Sequence, residues 1–202
     1  IVFDKTGTLT RATPSVRKVV AFDGRDENEM LRLAACLEEH FPHSIANAVV
    51  QEAAIRGLVH EERHTKVEYV VAHGIASSIN GVRALIGSYH FIFEDEKAEM
   101  LTDETDLEHF AALPDDCSLL YLSLDGKLAA VICIEDPIRE EAMRVVKDLH
   151  DAGFSRVVMM TGDSRKTAAA VAERLGMDEF YAEVLPEDKA AFIRKEHDAG
   201  RK

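Results

Sequence analysis

The sequence predicts an α/β protein: a parallel, doubly wound sheet interrupted by an inserted α+β segment that is built on an antiparallel sheet. Three observations carry that prediction. From Glu135 onward, strand-like and helix-like runs alternate at short spacing, the pattern of a parallel sheet with crossover helices. Residues 1–3 form a short continuous apolar run, Ile-Val-Phe, that reads as a buried strand of the same sheet. The stretch between reads as helices followed by short strands with tight-turn signals, which makes it an insertion. On this reading residues 1–15 and 133–202 form the parallel-sheet domain and residues 16–132 form the inserted one.

The elements follow in order. After the first strand comes a linker with Pro14 and alternating Val16, Val19 and Ala21, ending at a turn on Asp23-Gly24. Met30, Leu33, Ala34 and Leu37 recur at helical spacing and predict an amphipathic helix over 27–39. A second helix is expected over 44–56, with Ser44 as its N-cap and Gly57 just past its end. Residues 67–71, 76–79 and 82–86 read as strands separated by Gly74 and Asn80-Gly81. Residues 94–112 are acidic and read as an exposed helix with its flanks. Asp125-Gly126, between apolar runs at 118–123 and 127–134, is a strong hairpin signal. Helix 140–150, strand 156–160, helix 164–175, strand 180–184 and a helix from about 187 complete the pattern.

Bulk composition excludes some functions. A formal net charge of -13 argues against a nucleic-acid surface, which needs a basic stripe. It leaves small anionic ligands open, because their binding depends on local donors. Cys36, Cys117 and Cys133 lie far apart with no CxxC pair and read as buried thiols in a reducing compartment. No apolar run approaches the roughly 18 residues of a membrane span. The chain opens on Ile-Val-Phe and closes on Ala-Gly-Arg-Lys, and reads as an excised piece.

Chemistry concentrates where strands end. Asp4 stands where the first strand meets a turn, and ligands of open parallel sheets bind at the carboxyl ends of strands. Gly7 lets the backbone approach closely, and Thr6 and Thr8 offer hydroxyls and amides to phosphate oxygens. Strand 156–160 runs likewise into Thr161-Gly162-Asp163 and then a helix, whose N-terminus suits a phosphate. Lys189 can supply a cation to neutralise developing charge.

Asp4-Lys5-Thr6-Gly7-Thr8, followed by Leu-Thr, resembles the phosphorylation signature of P-type ATPases, members of the haloacid-dehalogenase-like fold. Thr161-Gly162-Asp163 resembles the family's TGD segment, Asp136-Pro137 its Asp-Pro hinge, and Lys189 its core lysine. The resemblance implies that Asp4 attacks the γ-phosphate of Mg-ATP and forms an aspartyl-phosphate, with Mg²⁺ held by Asp4 and the main-chain carbonyl of Thr6. Lys5, Thr6, Thr161, Gly162, Asp163 and Lys189 complete the implied catalytic set. Phosphatases of this fold carry a second Asp where this chain has Thr6. Threonine cannot act there as acid and base at neutral pH, so a soluble phosphatase is disfavoured.

The insertion narrows the resemblance to the heavy-metal-transporting (P1B) subfamily. Glu38 and His43, in Glu-Glu-His-Phe-Pro-His-Ser-Ile-Ala, resemble the Ser-Glu-His-Pro-Leu-Ala motif, whose histidine stacks near the adenine of ATP. His40 competes for that place but lacks the small-apolar pair that Ile45-Ala46 provides. Ala72-His73-Gly74-Ile75 resembles the Gly-x-Gly turn, and Gly87-Ser88 the Gly-Asn pair. Ser44, Ala72 and Ser88 depart from the motif, so the nucleotide pose is expected with altered affinity. His60 and His64, four apart with glutamates between, read as a solvated face and not a metal site. The implied setting is a cytoplasmic loop of a membrane protein, working with an actuator domain and membrane helices that carry a metal cation. The family's pattern continues past this chain, so nucleotide binding without full phosphorylation is expected, a non-catalytic nucleotide-binding module in effect.

Overall fold

The computed structural model describes residues 1–58, 68–70, 74–198 and 200. His60, His64, Ala72, His73, Arg201 and Lys202 lie outside the described residues, as do parts of the expected strand 67–71 and of the terminal tail. The chain divides into two compact units: residues 1–13 with 136–202, and residues 14–135.

The first unit is built on a parallel three-stranded sheet in the order β1 (Val2–Asp4), β8 (Val158–Met160), β9 (Glu179–Tyr181). Helices α4 (Ala142–Asp151), α5 (Arg165–Leu175) and α6 (Pro186–Asp198) follow the strands. β8 is central and fully buried, as its apolar run Val-Met-Met requires. Val2 and Phe3 are only half-buried, less than expected, because among the described residues β1 has a paired strand on one side alone. Met159, Ala168, Val171, Leu175, Ala142 and Leu9 form the core of this unit. α5 begins where the Ser164 side chain accepts the Thr167 amide and ends where Gly176 turns left-handed at φ 70°.

The second unit holds a six-stranded antiparallel sheet ordered β2-β7-β6-β5-β4-β3. Its strands are β2 (Ser15–Ala21), β3 (Glu68–Val70), β4 (Gly74–Ile79), β5 (Val82–Gly87), β6 (Ser118–Leu124) and β7 (Lys127–Glu135). Both two-residue turns flagged in the sequence close hairpins. Asn80-Gly81 has φ of 53° and 83°, and Asp125-Gly126 has 51° and 76°, the doubly positive pair of a type I′ turn. Helices α1 (Glu27–Glu38) and α2 (Ser44–Ile55) cover one face through Leu31, Leu37, Val49, Ile75 and Ile132. The other face is covered by Phe22, Phe91, Ile92 and Leu113 over Leu85, Val131 and Cys133. With both faces covered, β7 is buried from Leu128 to Ile134, which explains its unbroken apolar run.

Three expectations need correction. The stretch read as a linker is strand β2, whose alternation is masked by a bulge between Val16 and Lys18. Residues 90–95 form a helical turn that seats Phe91 and Ile92 in the second face, ahead of α3 (Glu104–Ala111). The N-cap of α2 is His43, not Ser44: its backbone is extended (φ -142°, ψ 174°) and its Nδ1 accepts the Ala46 amide. All three cysteines are buried free thiols. Among the described residues no helix is long and apolar enough to cross a membrane.

Candidate functional site

In the first unit, parallel pairing sets Asp4 opposite Met160, so Asp4 and Thr161 stand at the carboxyl ends of adjacent strands. Asp4 is exposed and Thr161 buried. Lys5 is 6 % exposed, and its Nζ lies 2.5 Å from Asp163 Oδ2. The Thr161 hydroxyl donates to the same oxygen at 2.7 Å and accepts the Asp163 amide at 3.1 Å. Burying a lysine is tolerable because a carboxylate meets it. The result is a positive side chain and a strand-end hydroxyl locked together one strand from Asp4. Gly162 leaves open room, its nearest neighbour being the Val184 carbonyl at 3.7 Å from an added Cβ.

The loop after Asp4 is held from a distance in sequence. Gly7 takes φ +79°, and the Thr10 amide closes the turn on the Lys5 carbonyl at 3.0 Å. Thr10 Oγ1 lies 2.5 Å from Asp136 Oδ2 and 3.2 Å from the Lys5 carbonyl. Its single proton serves the shorter, charge-assisted contact. The other Asp136 oxygen accepts the Thr13 amide at 3.2 Å. Arg139 donates to the Thr10 and Gly7 carbonyls at 3.1 and 3.3 Å. The sequence marks Asp136 only as a hinge and does not single out Thr10 or Arg139. A hydroxyl and a carboxylate 126 residues apart leave no spacing signal.

Lys189 lies in α6, and its side chain is outside those described. Thr6 is exposed, with extended backbone (φ -73°, ψ 122°).

In the second unit, Glu38 ends α1 at 2 % exposure and His43 opens α2. His43 Nε2 lies 3.4 Å from Glu38 Oε2 without forming a hydrogen bond, and Oε2 has no hydrogen-bond partner. Burial pushes the Glu38 carboxyl up to about 7 and His43 down. His40 pairs instead with Glu39 at 3.5 Å, so it is His43 that the fold brings to Glu38. Gly74 and Gly87 are direct cross-strand partners, with Ile75 beside them, 2 % exposed, in the core that also holds Leu37. A Cβ on Gly74 would collide with the Phe91 ring and sit 2.5 Å from the Ile86 carbonyl, so packing within the sheet already demands glycine there. Ser88 accepts the Phe91 amide at 3.2 Å and starts the helical turn.

Among the described residues no group of three or more His, Cys, Asp and Glu side chains is placed to hold a metal ion. Asp163 is engaged by Lys5, which leaves Asp4 and the Thr6 carbonyl as the implied donors. Magnesium takes six oxygens in an octahedral set, so beside these two the others would come from water and from ligand phosphate.

A strand-end aspartate and a buried lysine–aspartate–threonine network stand on a parallel α/β sheet whose chain is interrupted by a second unit. A model of the haloacid dehalogenase-like hydrolase family matches residues 1–201, and the chain belongs to that family. Its relatives within it are heavy-metal P-type ATPases. The chain is 35% identical over 206 residues to the copper-transporting ATPase 2 of Rhizobium meliloti, covering 100% of this chain and 24% of that protein. It is 34% identical over 199 residues to the zinc-transporting ATPase of Synechocystis, covering 96% of this chain and 25% of the other. Among solved structures, a zinc-transporting PIB-type ATPase in the E2.Pi state matches at 30% identity and a TM-score of 0.69, over 98% of this chain and 31% of that one. The catalytic domain of the CPx-ATPase CopB-B matches in fold, at a TM-score of 0.70 and 23% identity, over 100% of this chain and 68% of that one. The chain thus spans about a quarter of the length of the curated relatives it matches.

Proposed function

We propose that this chain is the ATP-binding and phosphorylated region of a cation-transporting P-type ATPase. The second unit takes the adenosine end of ATP at Glu38, His43, Gly74, Ile75, Gly87 and Ser88, and in the parent protein Asp4 of the first accepts the terminal phosphoryl group. An Asp4 oxygen forms a bond to the γ-phosphorus, the bond from that phosphorus to the β–γ bridging oxygen breaks, and ADP leaves with the electron pair. Lys5, held by Asp163, and the Thr161 hydroxyl offset the charge that develops on the transferring group. Thr6 cannot activate water, so the aspartyl-phosphate persists. In the parent protein that persistence drives transport of a metal cation through membrane helices, with an actuator domain removing the phosphate and this region on the cytoplasmic side.

The observation that carries the reading is the register of Asp4 beside Thr161 and the Lys5–Asp163 pair. Support for the nucleotide comes from the buried, unpartnered oxygen of Glu38 next to His43. Calorimetric titration with ATP, AMP and inorganic phosphate tests it. ATP and AMP are expected to bind comparably, with His43→Ala weakening both about tenfold or more, the scale of a lost base-stacking contact. Binding of inorganic phosphate without AMP overturns the reading.

A further inference from the structure

We propose that nucleotide binds this chain with Glu38 as the neutral acid, so that uptake is coupled to a proton on that carboxyl and weakens as the proton is lost. The inference rests on the nucleotide reading above and adds a regulation to it.

The geometry begins with His43. Its Nδ1 accepts the Ala46 amide, so that nitrogen's lone pair is committed and the ring proton sits on Nε2. A second proton would have to go to Nδ1 and would break the cap of α2. His43 therefore stays neutral, and its partial burial acts in the same direction. His43 thus offers Glu38 no countercharge. Its Oε2 is buried without a hydrogen bond, and His43 Nε2 stands 3.4 Å away.

The surrounding charged groups are engaged elsewhere. Glu39 pairs with His40, Arg32 with Glu29 on the same helix, and Glu52 with Arg56 on α2. Strands β2, β4 and β7 bring Val19, Ile75, Ile79, Ile132 and Ile134 to the core shared with α1. Among the described residues no side chain but that of the neutral His43 comes within ion-pair distance of Glu38. Burial alone accordingly raises the carboxyl to about 7.

A nucleotide docked on His43 brings anionic phosphates to the site, and added negative charge disfavours the carboxylate. By linkage, a ligand that favours the protonated form binds more weakly as pH rises. The neutral acid also offers one donor and one acceptor, the complement of an amino group beside a ring nitrogen on adenine. A carboxylate offers acceptors only.

The test is ATP affinity by calorimetry from pH 6 to pH 8 on the full chain, wild type against Glu38→Gln. Glutamine keeps a neutral donor and acceptor in the same shape, and the ratio of the two affinities cancels the titration of ATP itself. Wild type is expected to lose about tenfold relative to the variant across that range, given a carboxyl titrating at about 7. A ratio that is flat with pH, or that moves toward wild type as pH rises, overturns the coupling while leaving the nucleotide site in place. Absence of ATP binding by wild type at every pH overturns the nucleotide reading itself, and the coupling with it. Should Glu38→Gln fail to fold, proton uptake by wild type on binding adenosine, which has no group titrating in this range, decides the same question. Net proton uptake is expected at pH 7.5, and none contradicts the coupling.

Discussion

Glu38→Gln also changes the stability of the nucleotide-free chain, and its size follows from the burial of that side chain. The carboxyl titrates near 4.5 when exposed and is pushed to about 7 in the fold by burial. Its folded value lies above its unfolded one, so between these two pH values the folded chain binds the extra proton. Stability therefore declines as pH rises from about 4.5 to about 7 and levels off above that window. The interval corresponds to ~3 kcal/mol, and little of it is lost to solvent screening because the side chain is 3% exposed. Glutamine carries no such term. Urea denaturation of both chains, followed by far-ultraviolet circular dichroism because the chain has no tryptophan, isolates the effect as a difference. The variant is expected to gain ~3 kcal/mol on wild type between pH 4 and pH 8. A difference that does not change with pH, or that favours wild type at pH 8, would refute the assignment of Glu38 as an uncompensated buried acid.

Asp136→Ala removes the carboxylate that holds the Thr10 hydroxyl and the Thr13 amide, and is expected to destabilise the chain by about 1–3 kcal/mol, read from thermal unfolding. Asp136→Asn keeps an acceptor for one of them and should recover part of the loss. Gly74→Ala pushes a methyl against the Phe91 ring and the Ile86 carbonyl and should lower stability by about 1–3 kcal/mol in the same assay. Incubated with Mg-ATP, the chain is expected to incorporate little acid-stable phosphate, since Asp4 and the Thr6 carbonyl leave most of the magnesium's coordination to water and phosphate. Stoichiometric label that disappears in Asp4→Asn contradicts that expectation.

What could be seen in the sequence was local. Asn80-Gly81 and Asp125-Gly126 announce their hairpins because few other pairs accept two positive φ values in succession. Ser164 and Gly176 bracket α5 for equally local reasons of capping. Asp4 and Thr161 were visible because each ends an apolar run, and strand ends are where parallel sheets bind ligands. β2 was hidden because its bulge breaks the two-residue period that marks a half-buried strand. The cap of α2 was misplaced because serine has the stronger general preference, while the chain direction at His43 presents Nδ1 to the helix amides instead. The Thr10–Asp136–Arg139 clamp and the Lys5–Asp163 pair needed the fold, since each joins residues on opposite sides of the insertion. The two glycines read as nucleotide contacts turn out to face one another across β4 and β5, so for Gly74 packing alone suffices to explain its identity.

The central claim is that an adenine nucleotide occupies the second unit at the junction of α1 and α2. Backbone amide shifts on titration with ATP test it most directly. The largest changes are expected at Glu38, His43, Gly74 and Gly87, reproduced by AMP and largely abolished in His43→Ala. If instead those amides stay still while Asp4, Gly7 and Thr161 respond to ATP and to inorganic phosphate alike, the claim is contradicted and the nucleotide does not bind at that junction.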